Sequence, residues 1–195
     1  MEGFTEQEPQ RKRRTRTKQV LETEQQTYDC ALNLLSFRDH SQKEMQEKLR
    51  RRGASAEQIQ SSLDKLADYG IMNEERFAQR VYESWLAKRV YGRQHLLAEL
   101  QKKGVPRQFI EQILEQFTDE IEQERAELAA EQFCRANRKK IEQGLQDKDP
   151  KAKQRLYAAA ARYLAARGFG SAYFELLWER ICRSLLDKAF VGAHL

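Results

Sequence analysis

Residues 40–66 read HSQKEMQEKLRRRGASAEQIQSSLDKL, and residues 91–117, YGRQHLLAELQKKGVPRQFIEQILEQF, overlay them without a gap at a constant offset of 51. In this register Met45 falls on Leu96, Leu49 on Leu100, Gly53 on Gly104, Ile59 on Ile110 and Leu63 on Leu114. Apolar positions recur at helical spacing on both sides of each glycine, so each copy reads as two helices joined at a left-handed turn. A third copy follows at a further offset of 64, where Leu164, Gly168, Phe169, Phe174, Trp178 and Ile181 fall on Leu100, Gly104, Val105, Ile110, Leu114 and Phe117.

Working outward, an apolar stripe through Ala31, Leu32, Leu34 and Leu35 places a helix before the first copy, and Phe77, Val81, Trp85 and Leu86 place one before the second. Each unit therefore comprises three helices. Ser41 is expected to cap the second helix in a capping box with Glu44, Ser55 to open the third, and Asn73 to start unit two with Glu74 and Glu75 at the positive end of the helix dipole. Gly92 replaces Ser41 in unit two, and Pro106 suits the first turn of the helix that follows. Asp149-Pro150 is a helix start lying two turns before the position that matches Ser41, so the second helix of unit three should be longer.

The expected fold is an all-α tandem array of three three-helix units, elongated and free to curve, because bundles this small must share cores or stack. Its expected segments are a disordered basic tail over 1–25, units over 26–72, 73–118 and an enlarged 119–188, and a C-terminal tail over 189–195. Composition agrees. Hydrophobic residues are 40% of the 195, charged residues 33%, and only nine glycines and three prolines punctuate the chain, which leaves little turn chemistry for the hairpins of a β fold.

No apolar run approaches the roughly 18 residues that cross a bilayer, and the start of the chain is polar and basic rather than signal-like, so a cytoplasmic protein is expected. Cys30, Cys134 and Cys182 are odd in number and widely spaced, and His40, His95 and His194 lie far apart, so neither disulfides nor a metal are expected. Asp39, His40 and Ser41 share the letters of a hydrolytic triad, but adjacent residues cannot line up nucleophile, base and orienter. No phosphate-binding glycine loop occurs either. The expectation is a binding protein without catalysis, cofactor or small-molecule substrate.

Charge supplies the candidate binding residues. The net charge is +5, but residues 11–18 (RKRRTRTK) hold six cations and no acid, so without them it would be −1. The tail reads either as a solubilising extension or as an arm that finds phosphates or an acidic partner. Residues 111–131 hold eight acids against Arg125, and residues 135–167 hold ten bases against three acids. These blocks read either as neighbours that pair internally or as one electropositive face opposed by an acidic segment. Basic junctions recur in each unit: Arg38 with Arg50, Arg51 and Arg52; Arg89 and Arg93 with Lys102 and Lys103; Arg138, Lys139 and Lys140 with Arg167. The helix dipole alone favours cations at helix ends, whereas their repetition suits phosphates or carboxylates met in series along a polymer. Arg89 and Arg93 are expected to be largely exposed.

Arg38-Asp39-His40-Ser41 followed by Glu44 and Leu49, then Gly70-Ile71-Met72-Asn73-Glu74-Glu75-Arg76-Phe77, then Tyr91-Gly92 with Glu99-Leu100 and Lys103-Gly104-Val105, resembles the bacterial regulatory protein family RecX. The resemblance covers roughly residues 28–186, most specifically in unit two. It implies tandem three-helix repeats without catalysis, and binding to the RecA recombinase filament, whose assembly, strand exchange and coprotease activity such proteins restrain in recombination and the SOS response. Contact with single- or double-stranded DNA is a further expectation. The rival reading is a helix-turn-helix DNA-binding protein acting independently of RecA, although the third helices offer few base-reading side chains beyond Gln58, Gln60, Arg107 and Gln108.

Overall fold

The computed structural model describes residues 20–191, with side chains through residue 183. The described residues form ten helices: α1 (Glu24–Phe37), α2 (Gln42–Arg50), α3 (Ala56–Asp68), α4 (Glu74–Leu86), α5 (Arg93–Lys102), α6 (Arg107–Gln116), α7 (Asp119–Ala136), α8 (Arg138–Gln146), α9 (Pro150–Ala165) and α10 (Ala172–Val191). The main helix-on-helix packing lies within α1–α3, α4–α6 and α7–α10, each set enclosing its own core. Met45, Leu49, Leu63 and Leu66 fill the first core; Trp85, Leu96, Leu100 and Phe117 the second; Leu164, Phe169, Leu177 and Ile181 the third. The protein is an all-α array of helical units.

Helix ends follow the local chemistry. The hydroxyl of Ser41 accepts from Glu44 N–H at the start of α2, Asn73 accepts from Arg76 N–H at α4, and Asp149 caps α9 with Pro150 in its first turn. Gly53, Gly104 and Gly168 all have positive φ, at the corners between α2 and α3, α5 and α6, and α9 and α10. The Ser41 cap is one-sided. Glu44 turns away from the expected capping box and instead holds Arg38 and the buried His40, each at 3.0 Å. A full box forms at Ser55 with Gln58, and Pro106 stands at the N-cap, one step earlier than expected.

Three boundaries differ from expectation. Thr23 caps α1 in a box with Gln26, and Leu21 is buried in the first core, so residues 21–25 belong to unit one rather than to a tail. Unit three has four helices: α8 intervenes before a second helix, α9, that is longer than its counterparts, as the position of Asp149-Pro150 requires. Helix α10 continues to Val191, into the expected C-terminal tail. Residues 1–19 of the basic tail and residues 192–195 lie outside the described residues.

The units join at the glycine corners. Gly92 N–H donates to Arg167 O at 2.9 Å and Gln94 N–H to Gly168 O at 3.1 Å, so the start of α5 is seated on the corner of unit three. The fit leaves no room for side chains: a Cβ on Gly168 would lie 2.2 Å from His95 N, and one on Gly92 would lie 2.6 Å from the Phe169 ring. The corner of unit two receives the start of α2 similarly, with Gly104 against Ser41 and Lys43. On unit one the same seat is taken by residues preceding α1, where Leu21 N–H donates to Arg52 O at 2.8 Å. Arg52, Lys103 and Arg167 are equivalent positions under the two repeat offsets.

Candidate partner-binding surface

The joint between units one and two opens into a groove of about 400 Å³. Its apolar floor includes Phe77, Val81 and Trp85, and its rim carries Arg38, Arg80, Lys88 and Lys103 against Asp39 and Glu99. The cations come from three segments: Arg38 follows α1, Arg80 lies on α4 with Lys88 just beyond its end, and Lys103 caps α5. Arg38 is paired with Glu44, and Arg80 with Asp39. Two of the expected binding residues, Arg38 and Lys103, thus meet in one groove. Arg80 and Lys88, which complete it, escaped the sequence reading: Arg80 stands between Gln79 and Val81 within α4, and Lys88 adjoins Arg89 but has no counterpart in the repeated junctions.

The other expected residues are dispersed. Arg51 is exposed at the end of α2, 3.7 Å from Glu47, while Arg52 turns inward and donates to Cys30 Sγ. Arg89 and Lys102 are exposed. Arg138 pairs along α8 with Glu142 at 3.3 Å, and Lys139 is exposed beside it. Arg167 is half-buried, its guanidinium 3.5 Å from the Tyr163 ring centroid.

Arg93 corrects the expectation of an exposed pair at 89 and 93. Its guanidinium donates to Leu114 O at 3.0 Å, Phe117 O at 2.6 Å, Asp119 at 3.0 Å and Glu122 at 3.3 Å, and lies 5.4 Å from the Phe117 ring centroid. Its backbone N–H donates to the same buried Glu122 carboxylate at 2.8 Å. A carboxylate from α7 therefore stands at the positive end of α5, where Gly92 provides no side-chain cap. Beside it the buried Arg125 donates to Tyr91 O, Leu86 O and Lys88 O and lies over Trp85 at 4.4 Å. Both arginines fasten the joint between units two and three: Arg125 is buried, and Arg93, about a third of its side chain exposed, directs its donors to groups within the joint.

The acidic and basic blocks do not neutralise one another as units. Glu111 pairs with Arg107, Glu131 with Arg135, Arg138 with Glu142 and Arg155 with Asp149, all local contacts, while Asp119 and Glu122 take Arg93. A concavity of about 620 Å³ at the second joint has an acidic excess, with Glu111, Glu115, Asp119 and Glu120 against Arg93 in its lining. The exposed faces of α3 and α6 carry more acids than bases, with Glu57, Asp64 and Asp68 against Lys65 on α3 and Glu111 and Glu115 against Arg107 on α6, whereas on α10 Glu175 and Glu179 are matched by Arg180 and Arg183. Exposed cations gather at two other places, the rim of the first joint and the α8–α9 segment, where Lys139, Lys140, Lys148, Lys151, Lys153 and Arg162 are exposed. Among the described residues no group of three His, Cys, Asp or Glu is arranged to hold a metal, and no helix is long and apolar enough to cross a membrane.

Residues 28–66 match the first three-helix domain of RecX and residues 73–114 the second. A regulatory protein RecX of Pseudomonas putida is 32% identical over 153 residues, covering 77% of this chain and 87% of that protein. The chain belongs to the RecX family. A regulatory protein RecX of Listeria monocytogenes is 33% identical over 118 residues, 60% of this chain but 44% of that longer relative, so the chain spans less than half of it. A crystal structure of RecX from Lactobacillus salivarius shares the fold, with a TM-score of 0.64 and 21% identity over 81% of this chain and 96% of that one.

Proposed function

We propose that this chain, like the regulators whose family it shares, binds the RecA filament and restrains its assembly and its activities in recombination and the SOS response, acting in the cytoplasm without catalysis. The groove of Arg38, Arg80, Lys88 and Lys103 is the contact surface, with exposed Arg89 and Lys102 extending it. The observation that carries this reading is convergence: four cations from three segments surround one cleft, and Lys88 and Lys103 have no carboxylate partner among the ion pairs of the described residues. A repeating filament offers acidic side chains and DNA phosphates in series, and an array gripping two subunits would hinder subunit addition or rearrangement.

A helix-turn-helix mode is disfavoured for the first two units by the excess of carboxylates on the exposed faces of α3 and α6, which would meet phosphates with like charge. RecA ATPase on single-stranded DNA, titrated with the protein, tests the proposal. Inhibition is expected for wild type and for Lys139→Glu/Lys140→Glu, and at least a tenfold loss of potency for Lys88→Glu/Lys103→Glu with an unchanged helical spectrum. No inhibition by wild type in large excess would remove the RecA reading. Equal potency of the Lys88 and Lys103 variant would move the contact away from the groove.

A further inference from the structure

Lys88 of the groove and the exposed Arg89 beside it do not stand on a helix. They lie in residues 87–92, which connect the end of α4 to the start of α5. Little of the backbone bonding here is local: Lys88 N–H donates to Trp85 O at 2.9 Å and Arg89 N–H to Ala87 O at 3.1 Å, whereas Gly92 N–H goes to Arg167 O of unit three. The carbonyls of Leu86, Lys88 and Tyr91 accept from a single side chain, Arg125 of α7, at 3.3, 2.5 and 2.9 Å. A connection without this hold would leave both cations to be ordered at the moment of binding, which weakens association.

Arg125 is buried in unit three, 37 positions after Lys88. Its guanidinium also lies 4.4 Å from the centroid of Trp85, which forms part of the groove floor. The Trp85 indole N–H donates to His95 Nδ1 at 2.9 Å, and the backbone of His95 packs on Gly168 of the third unit. Floor and connection are thus both tied to the second joint. Arginine suits this place because its planar fork of donors reaches several carbonyls at once while its face covers the indole; a lysine ammonium matches neither. Unit one offers a contrast. The position that aligns with Arg125 at an offset of 48 is Phe77, which has no donor, and the connection over 38–41 is held by the partly exposed pair of Asp39 and Arg80.

We infer that Arg125 is a positioning residue for partner binding: from unit three it sets the course of residues 87–92 and so aims Lys88 and Arg89 at the partner held in the first-joint groove. The inference rests on the groove as the contact surface for RecA and deepens it, because the third unit then takes part in recognition without touching the partner.

Full-length variants are compared in the RecA ATPase titration and, without RecA, by hydrogen exchange. Arg125→Lys keeps the charge but loses the forked grip, so exchange over residues 88–91 should accelerate about fivefold or more while α1–α3 stay unchanged. Its inhibitory potency should fall about five- to tenfold. Lys88→Ala/Arg89→Ala should lose at least as much. Adding Arg125→Lys to that pair should then change potency by less than about twofold, because the cations it aims are gone. Ile141→Ala, which weakens unit three away from the joint, should inhibit like the wild type; a loss equal to that of Arg125→Lys would make stability the cause and overturn the inference. Losses that multiply in the triple variant, or unchanged exchange over 88–91, would overturn it as well. A wild type without effect on RecA would remove the groove reading and this inference with it, a failure told apart from the others by the inert wild type itself.

Discussion

Glu74 and Glu122 occupy equivalent places, each offering a carboxylate to the first N–H of the second helix of the preceding unit: Gln42 N–H for Glu74, Arg93 N–H for Glu122. Their electrostatic settings differ. Glu122 also has the Arg93 guanidinium, whereas burial raises the pKa of Glu74 above the ordinary carboxylate value against the backbone bond from Gln42, and its second oxygen is buried without a partner. Glu74→Gln keeps an acceptor and removes a poorly compensated charge, so urea unfolding at pH 7 should change by less than about 0.5 kcal/mol. Glu122→Gln strips Arg93 of its buried counter-charge and should cost about 1–2 kcal/mol, the remaining acceptors of Arg93 limiting the loss. Two histidines give the pH dependence. Burial lowers the pKa of His95, whose Nδ1 accepts from Trp85 Nε1 at 2.9 Å, and burial outweighs the Glu44 contact to lower that of His40 as well. The unfolded chain then binds protons that the folded chain refuses. Stability from both is complete above about pH 7 and falls as pH drops through the unfolded value of about 6.5 toward the lowered folded ones. The urea midpoint should therefore decline between pH 7.5 and pH 5, less steeply in His95→Gln. Glu74, its pKa raised, works in the opposite direction, so the comparison of variants decides: a pH dependence in His95→Gln equal to that of the wild type would show that His95 protonates freely in the fold. None of this was legible residue by residue. Arg93 looks like surface charge because its partners lie more than 20 positions away, and the one available signal was the isolation of Arg125 among acids, at the offset of 48 that aligns it with the buried Phe77.

At the scale of elements the sequence was far more readable, because caps and apolar spacing are local. The starts at Ser41, Ser55, Asn73 and Asp149, and the glycine corners at 53, 104 and 168, all stand where side-chain chemistry and backbone freedom place them. Helix α8 was not separable from α7: only Asn137 divides them, and its side chain folds back to Phe133 O at 2.9 Å instead of announcing a break. Its role appears only in packing, where Ile141 is buried in the third core and Gly144 faces Leu156 on the first turns of α9. The α8 helix thus covers the two turns by which α9 exceeds its counterparts. Ile141→Ala should cost about 2–4 kcal/mol. Hydrogen exchange should accelerate in α8 and residues 150–157 and remain unchanged in α1–α3; acceleration throughout would mean that α8 supports more than its own unit.

Across the whole molecule, the three cores are separate and the two joints unequal. The first joint has the Gln42–Glu74 bond, the Arg80–Asp39 pair and the contact of Gly104 with Ser41 and Lys43. The second has two backbone bonds, the Arg93–Glu122 pair, three carbonyls on Arg125, and apolar exchange, with Val90 packed on the third core and Ile121 on the second. In an array of this kind stability is a sum of unit terms and neighbour terms, and a stronger neighbour term makes two units open together. Leu63→Ala, at a fully buried site of the first core, should cost about 3 kcal/mol and release exchange in α1–α3 while α4–α10 stay protected. Arg125→Met should cost a similar amount, because it leaves three carbonyls of the second unit without their donor. Its signature is different: α4–α6 and α7–α10, which are expected to exchange together in the wild type, should separate into two steps. If α4–α6 instead opened along with α1–α3 in Leu63→Ala, the first joint would be the stronger one. Force applied to the basic groove would then be borne by units one and two as a single body, with unit three following.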